Sequence, residues 1–237
     1  MADKLVLGPR LRAIAALVPD RCGCLADIGT DHGYIPVSLL LDRRVRRAIA
    51  ADVGSQPLDH ARRTAQAYGV SEYMDFRLGD GLSVLAPEEA EVIVIAGMGG
   101  DAITEILAAA PWSREGPLLL LLQPMSKAEV LRAWLPQHGY RVLAEELVQD
   151  KGVLYPILTI QGGEMPAAGD VQAWGGFLLE EDPLYGMYIA DRLLRLRRAA
   201  AGLEKARDPS LAEKRARLLA VIAGLEEKKG AWEACRR

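Results

Sequence analysis

YRVLAEELVQDKGVLYPILTI, residues 140–160, is the stretch that decides the fold. Two strand-length runs, Tyr140 to Val148 and Val153 to Ile160, are separated only by Gln149-Asp150-Lys151-Gly152. A parallel pair needs a crossover of a dozen or more residues, so a link this short makes the two strands antiparallel. Upstream the pattern changes. Cys22–Ile28, Ala48–Val53, Phe76–Leu78, Glu91–Ala96 and Leu118–Leu122 read as short strands, and EVIVIA at 91–96 as a fully buried one. Helical patterns fall between them: Pro9 to Val18, Tyr34–Leu41, Pro57–Tyr68, Asp101–Ala109 and Ala128–Gln137. Short buried strands alternating with helices imply a parallel sheet with right-handed crossovers. The expectation for residues 1–162 is an α/β domain whose parallel sheet ends in an antiparallel hairpin.

Beyond the hairpin the pattern becomes helical. Residues 162–176, GGEMPAAGDVQAWGG, read as a loop or linker. Tyr185 to Arg207 carries Ile189, Leu193, Leu196 and Ala200 at helical spacing. Asp208 is placed to cap a second helix with Pro209 at its first position, and Leu211, Leu218, Ile222 and Leu225 continue the stripe. Neither helix can bury its stripe alone, so residues 163–237 are expected to be a linker followed by an antiparallel, coiled-coil-like helical domain. Residues 1–170 carry a net charge of −6 and residues 171–237 a net +3, which together give the −3 of the chain. A basic tail on an acidic body hints at a polyanionic partner; a normally solvated helical face accounts for the charge equally well.

Composition narrows the classes. In 237 residues, 50% apolar and 26% charged, there is material for one large domain or a medium domain plus a small one. No apolar run approaches the length of a membrane span; Leu118 to Leu122, for one, is only strand-sized. No secretory leader is evident. Three cysteines, Cys22, Cys24 and Cys235, suit reduced thiols and a cytosolic compartment. The three histidines, His32, His60 and His138, are scattered along the chain, so no metal site is expected.

Four strand ends carry chemistry. LADIGTDHGY at 25–34 follows the first strand. Gly29 and Gly33 allow close approach and a sharp turn, and the helix N-terminus that follows favours negative charge such as a ligand carboxylate. The spacing is G-x-x-x-G, unlike the dinucleotide fingerprint. Asp27, before the first glycine, suits a ligand that carries an ammonium group and no pyrophosphate. Asp52, with Val53 after it, ends the second strand, where a carboxylate can accept both hydroxyls of a ribose. Gly79-Asp80-Gly81 follows the third; Asp80 can accept from an adenine amino group, or the segment can be an ordinary Asp-Gly turn. Gly97-Met98-Gly99-Gly100 follows the fourth strand at the central crevice, and Met98 can lie against a flat ring or a sulfonium. Gln123-Pro124-Met125 after the fifth strand either lines an acceptor pocket or is a plain strand-to-helix turn.

Taken together, PRLRAIAALVP, LADIGTDHGYIP, AADV, GDGL, VIVIAGMGG, LLLQPM and GGFLLEEDPLY resemble the bacterial tRNA (adenine-22-N1)-methyltransferase family over nearly the whole chain. The resemblance implies a class I, Rossmann-like methyltransferase sheet with a coiled-coil-like C-terminal domain, S-adenosylmethionine as methyl donor, and an adenine of the tRNA D-arm as acceptor. The cofactor-binding candidates are then Asp27, Gly29, Gly33, Asp52, Val53, Asp80, Gly81, Gly97 and Met98. Asp31 and His32 are the catalytic candidates, in the loop expected to face the transferring methyl. Arg10, Tyr34, Gln123 and Pro124 are candidates for the substrate side, with Arg192 and Arg195 on the tail. The Asn/Asp-Pro-Pro motif of many exocyclic-amine methyltransferases is missing after the fourth strand, which argues against chemistry at N6; N1 of adenine is what the resemblance implies. Two other functions fit less of the pattern: a methyltransferase of a small molecule or protein, and a nucleotide-binding scaffold whose helical tail is its working surface. A basic tail disfavours the first and an intact series of four loops the second. The expected setting is cytoplasmic, with tRNA as partner and no membrane; a monomer is compatible with the sequence.

Overall fold

The computed structural model describes residues 5–205 and 209–236. Seven strands form one mixed sheet: β1 (Cys22–Ile28), β2 (Val45–Asp52), β3 (Met74–Leu78), β4 (Val92–Gly99), β5 (Leu119–Ser126), β6 (Tyr140–Asp150) and β7 (Val153–Gly162). Their order is β3-β2-β1-β4-β5-β7-β6, parallel through β5 and antiparallel at β5–β7 and β7–β6. This is the expected class I methyltransferase arrangement. The hairpin is tighter than its sequence suggested. Asp150 pairs with Val153, and Lys151 and Gly152 both have positive φ, 49° and 79°, as a type I′ turn requires.

Helices cover both faces. α1 (Pro9–Leu17), α2 (Tyr34–Leu41) and α3 (Ser55–Ala67) bury Ile14, Ile35 and Ala65 against Val92, Val94 and Leu121 of the sheet. α4 (Gly100–Ala108) and α5 (Ala128–Gln137) bury Ile103, Leu107, Leu131 and Leu135 against Ile93, Ile95, Leu120 and Leu122. Alternate residues of β4 and β5 thus serve opposite cores, which is why both strands read as unbroken apolar runs.

Several boundaries differ from the sequence reading. β2 begins at Val45, three residues before Ala48, because it pairs with β1 from Cys22 onward. β4 and β5 run on past their apolar runs: Ala96 pairs with Gln123, Met98 with Pro124 and Gly99 with Ser126, with register shifts around Met98. Gly97-Met98 and Gln123-Pro124 therefore belong to strand ends. Residues 162–176 are not all loop, since α6 (Asp170–Gly175) forms within them.

The tail is a helix pair. α7 (Tyr185–Lys205) and α8 (Ala212–Ala234) follow one another, joined on the α8 side by a 3-10 turn, Pro209–Leu211; Arg207 and the proposed cap Asp208 lie outside the described residues. Arg215 meets Glu204 and Arg197 meets Glu226, so the helices run antiparallel. Their stripes pack together as a third core that also takes in Leu147 of β6. A buried polar cluster ties this core to the sheet. Arg132 of α5 pairs with Glu145 of β6 at 2.6 Å, both side chains fully buried. The same guanidinium donates to the Ala173 carbonyl of α6 at 3.0 Å and to the Tyr188 hydroxyl of α7 at 2.9 Å. The other Glu145 oxygen accepts the Phe177 N–H at 2.8 Å.

Candidate active site

Two cavities meet at the carboxyl ends of the parallel strands. The first, about 380 Å³, is bordered by Gly29, Asp52, Val53, Asp80, Gly81 and Met98, with Ile106 of α4 behind. The second, about 290 Å³, is bordered by Arg10, Asp27, Thr30, Asp31, His32, Tyr34 and Gly97. Gly29 borders both. Its φ is 71°, in the left-handed region that favours glycine, and a Cβ there would have to displace the terminal methyl group of Met98.

Asp27 forms the floor of the second cavity and is 4% exposed. Burial pushes its pKa up to about 6; the Thr30 hydroxyl, donating at 2.7 Å, pulls the other way, and nearby Asp52 adds to the rise. No cation among the described residues pairs with it. A buried carboxylate kept costly in this way gains most from a ligand ammonium. Thr30 carries no motif signature beyond its place three residues after Asp27, and the sequence reading did not name it.

Asp52 stitches the loops together. One oxygen accepts the Gly54 N–H at 2.9 Å, and the other faces the Asp31 N–H at 3.4 Å. Asp31 itself is exposed, with a φ of 50°. Its carboxylate lies 3.7 Å from His32 Nε2. The His32 ring stacks with two neighbours, Tyr34 at 5.1 Å and 6° and His60 at 4.8 Å and 8°. The fold thus unites two histidines that are scattered in sequence. Donor atoms of Asp31, His32 and His60 lie within 4.8 Å of one another. The two imidazoles are nearly parallel, so their in-plane lone pairs run side by side and do not converge on one point as metal ligation demands.

Gly33 borders neither cavity. It is left-handed (φ 67°), and a Cβ there would lie 3.1 Å from that of Ala61, so it serves the close approach of α3. Gln123 and Pro124, expected on the acceptor side, are buried in the sheet, because β5 continues through them beside β4. Gln123 is fully used internally. It accepts from Arg10 Nη1 at 2.6 Å and donates to the Pro124 carbonyl at 2.9 Å. It therefore holds Arg10 at the cavity mouth from a position 113 residues away. On the tail, Arg192 does not stand on the surface. It is 9% exposed, paired with Asp191 at 2.8 Å and laid over the Tyr188 ring at 4.9 Å. Arg195 is exposed and shares Asp191, while Arg198 is exposed with no ion pair among the described residues.

Comparison with known proteins agrees with this geometry. The family of methyltransferase domains matches residues 7–158. The tRNA (adenine(22)-N(1))-methyltransferase of Bacillus subtilis is 34% identical over 188 residues, 79% of this chain and 76% of that protein. The crystal structure of the B. subtilis m1A22 tRNA methyltransferase TrmK superposes with a TM-score of 0.86 at 27% identity, covering 95% of this chain and 99% of that one. A Streptococcus pneumoniae structure in complex with S-adenosyl-L-methionine covers 94% of this chain and 100% of its own, with a TM-score of 0.79 and 29% identity.

Proposed function

Because the chain belongs to the tRNA (adenine(22)-N(1))-methyltransferase family and is an S-adenosylmethionine-dependent methyltransferase, we propose that it methylates N1 of adenine 22 in the D-arm of tRNA. The observation that carries this reading is the junction at Gly29 of a nucleoside-sized cavity with a second one walled by Asp31, His32 and Tyr34.

The residues present fit the donor. Asp27 is a buried carboxylate in want of a cation, and Gly29, which borders both cavities, lets a ligand come close to the backbone. In this reading Asp52 accepts the ribose hydroxyls, Asp80 receives the adenine amino group, and Asp27 faces the ammonium. When bound, S-adenosylmethionine supplies an electrophilic methyl group, which the N1 lone pair accepts while the carbon–sulfur bond pair returns to sulfur. Neutral adenine needs no general base for that attack, so holding N1 in line is the main task of the protein. Asp31 and His32 stabilise the positive charge that arrives on the base, and Arg10 and Tyr34 border the space the base enters.

Catalysis is assigned to residues 1–162 and tRNA bracing to residues 163–237, through exposed cations such as Arg195 and Arg198; counterion release makes that binding fall steeply with salt. The setting is the cytoplasm, where tRNA is found. No helix among the described residues is long and apolar enough to cross a membrane.

The test is methyl transfer from labelled S-adenosylmethionine to bulk tRNA, followed by mass spectrometry of the nucleosides. N1-methyladenosine is expected. N6-methyladenosine as the direct product, under conditions that prevent rearrangement of the N1 isomer, would refute the ring-nitrogen chemistry. Transfer to no tRNA at all would remove the substrate.

A further inference from the structure

His60 belongs to none of the motifs and borders neither cavity, yet its ring is stacked under His32. Two local features put it there. Gly33, left-handed and without a side chain, lets α3 come close at Ala61, where a Cβ on Gly33 would lie 3.1 Å from the Ala61 Cβ. Ala61 is the next residue of that helix, so the same approach slides the His60 ring beneath the loop. The result is a ladder of three nearly parallel rings, Tyr34–His32–His60, with interplanar angles of 6° and 8°. His60 Nδ1 is shielded from solvent and has no hydrogen-bond partner among the described residues. A ring nitrogen left in that state means that the ring is retained for its face more than for its polar edge, since a lost hydrogen bond is a cost that stacking must offset.

His32 needs such a support. Its side chain is 41% exposed, and its charged partner Asp31 is 67% exposed at a separation of 3.7 Å. An exposed pair at that distance fixes a ring poorly. Stacking against two nearly parallel rings removes the freedom that the polar contact leaves.

We propose that His60 is a positioning residue for methyl transfer: it clamps the His32 ring against Tyr34, and so holds the His32 edge toward the space the acceptor base enters. The inference rests on the methyltransferase reading above and deepens it. His60 acts through His32 and touches neither donor nor acceptor.

The experiment compares His60→Ala, which removes the ring, with His60→Phe, which keeps a flat face and removes both nitrogens. Turnover on tRNA is expected to fall about 10- to 100-fold in His60→Ala, with the affinity for S-adenosylhomocysteine within threefold of wild type, because a misplaced group at the reacting centre costs rate more than donor binding. His60→Phe should return to within about threefold of wild-type turnover. Normal turnover in His60→Ala would overturn the proposal. So would an equal loss in both variants, which would make the imidazole itself the working group, or a parallel loss of donor affinity, which would mean a general role in packing α3. The second readout needs no substrate. With three histidines in the chain, the His32 ring protons can be followed by NMR. They should lose much of their ring-current shift in His60→Ala and keep it in His60→Phe; unchanged shifts in His60→Ala would overturn the stacking itself. If the wild-type chain moves no methyl group to tRNA, the substrate reading fails, while the NMR comparison still decides whether His60 clamps His32.

Discussion

Asp27 and Glu145 are both buried carboxylates, 4% and 5% exposed, and they live in opposite ways. Glu145 has its needs met by the chain: one oxygen holds the Arg132 guanidinium, the other two backbone N–H groups, of Phe177 and Leu178. Asp27 receives one hydroxyl, from Thr30, and burial drives its pKa up. The first is a joint, complete once the chain has folded. The second is an open valence at the end of β1, beside the glycine loop, and in the proposed reading a ligand ammonium completes it. Buried charge alone therefore does not identify a site; what marks one is a buried charge whose counter-charge is missing.

The comparison can be broken most directly at the joint. Glu145→Ala leaves the Arg132 guanidinium buried without its anion, and about 3–5 kcal/mol of stability should be lost on urea unfolding. A change below about 1 kcal/mol would mean that the tail is not locked to the sheet through this pair. At the open end the largest effect falls on rate. Asp31→Asn keeps the shape and removes the charge, so turnover should drop roughly ten- to a thousandfold, each factor of ten being about 1.4 kcal/mol. Donor affinity should barely move; normal turnover with weakened S-adenosylhomocysteine binding would reassign Asp31 to the donor side. Asp52→Ala should weaken S-adenosylhomocysteine by about 1.5–3 kcal/mol in calorimetry, the worth of hydrogen bonds to a charged group. Unchanged binding would detach Asp52 from the ribose.

The smallest effect is a pH dependence, and its sign follows from the missing counter-charge. The folded-state pKa of Asp27 is raised from 3.8 to about 6. Between these values the folded chain holds a proton that the unfolded chain has released, so this group lowers stability as pH rises through that window. A ligand ammonium favours the carboxylate, so affinity for S-adenosylhomocysteine should rise with pH and level off above about 6. The gain from pH 5 to pH 7 should be about tenfold. Asp27→Asn should flatten it, and a slope that survives the substitution belongs to another group.

The antiparallel end of the sheet was readable because a hairpin with a very short link has only one geometry, whatever the rest of the chain does. The donor-side candidates were readable because glycines and carboxylates recur at successive strand ends. Strand ends themselves were not. Gly97-Met98-Gly99 and Gln123-Pro124 have poor strand propensity, and only the pairing of β4 with β5, irregular at Met98, carries them into the sheet. The same pairing buries Gln123, whose side-chain oxygen accepts from Arg10. Asp191 and Tyr188 likewise drew Arg192 inward, against the expectation of a surface cation. His60 under His32, and Arg132 against Glu145, were hidden for one reason: each depends on which two distant segments meet, and local periodicity holds no record of that.

The Arg132 joint also sets a schedule for synthesis. Its partners lie 13, 41 and 56 residues further on, at Glu145, Ala173 and Tyr188. At about 5–20 residues per second, a ribosome delivers the last of them roughly 3–11 s after Arg132. Through that interval the nascent chain can pair its central strands, yet α5 carries a guanidinium that cannot be buried in its final setting. The sheet edge at β6 is thus expected to stay open until the first turns of α7 have emerged. Ribosome-arrested chains ending shortly before Tyr188 should be cut readily by protease around α5 and β6, and chains arrested well beyond α7 should resist; equal resistance in both would mean that the edge closes without the tail.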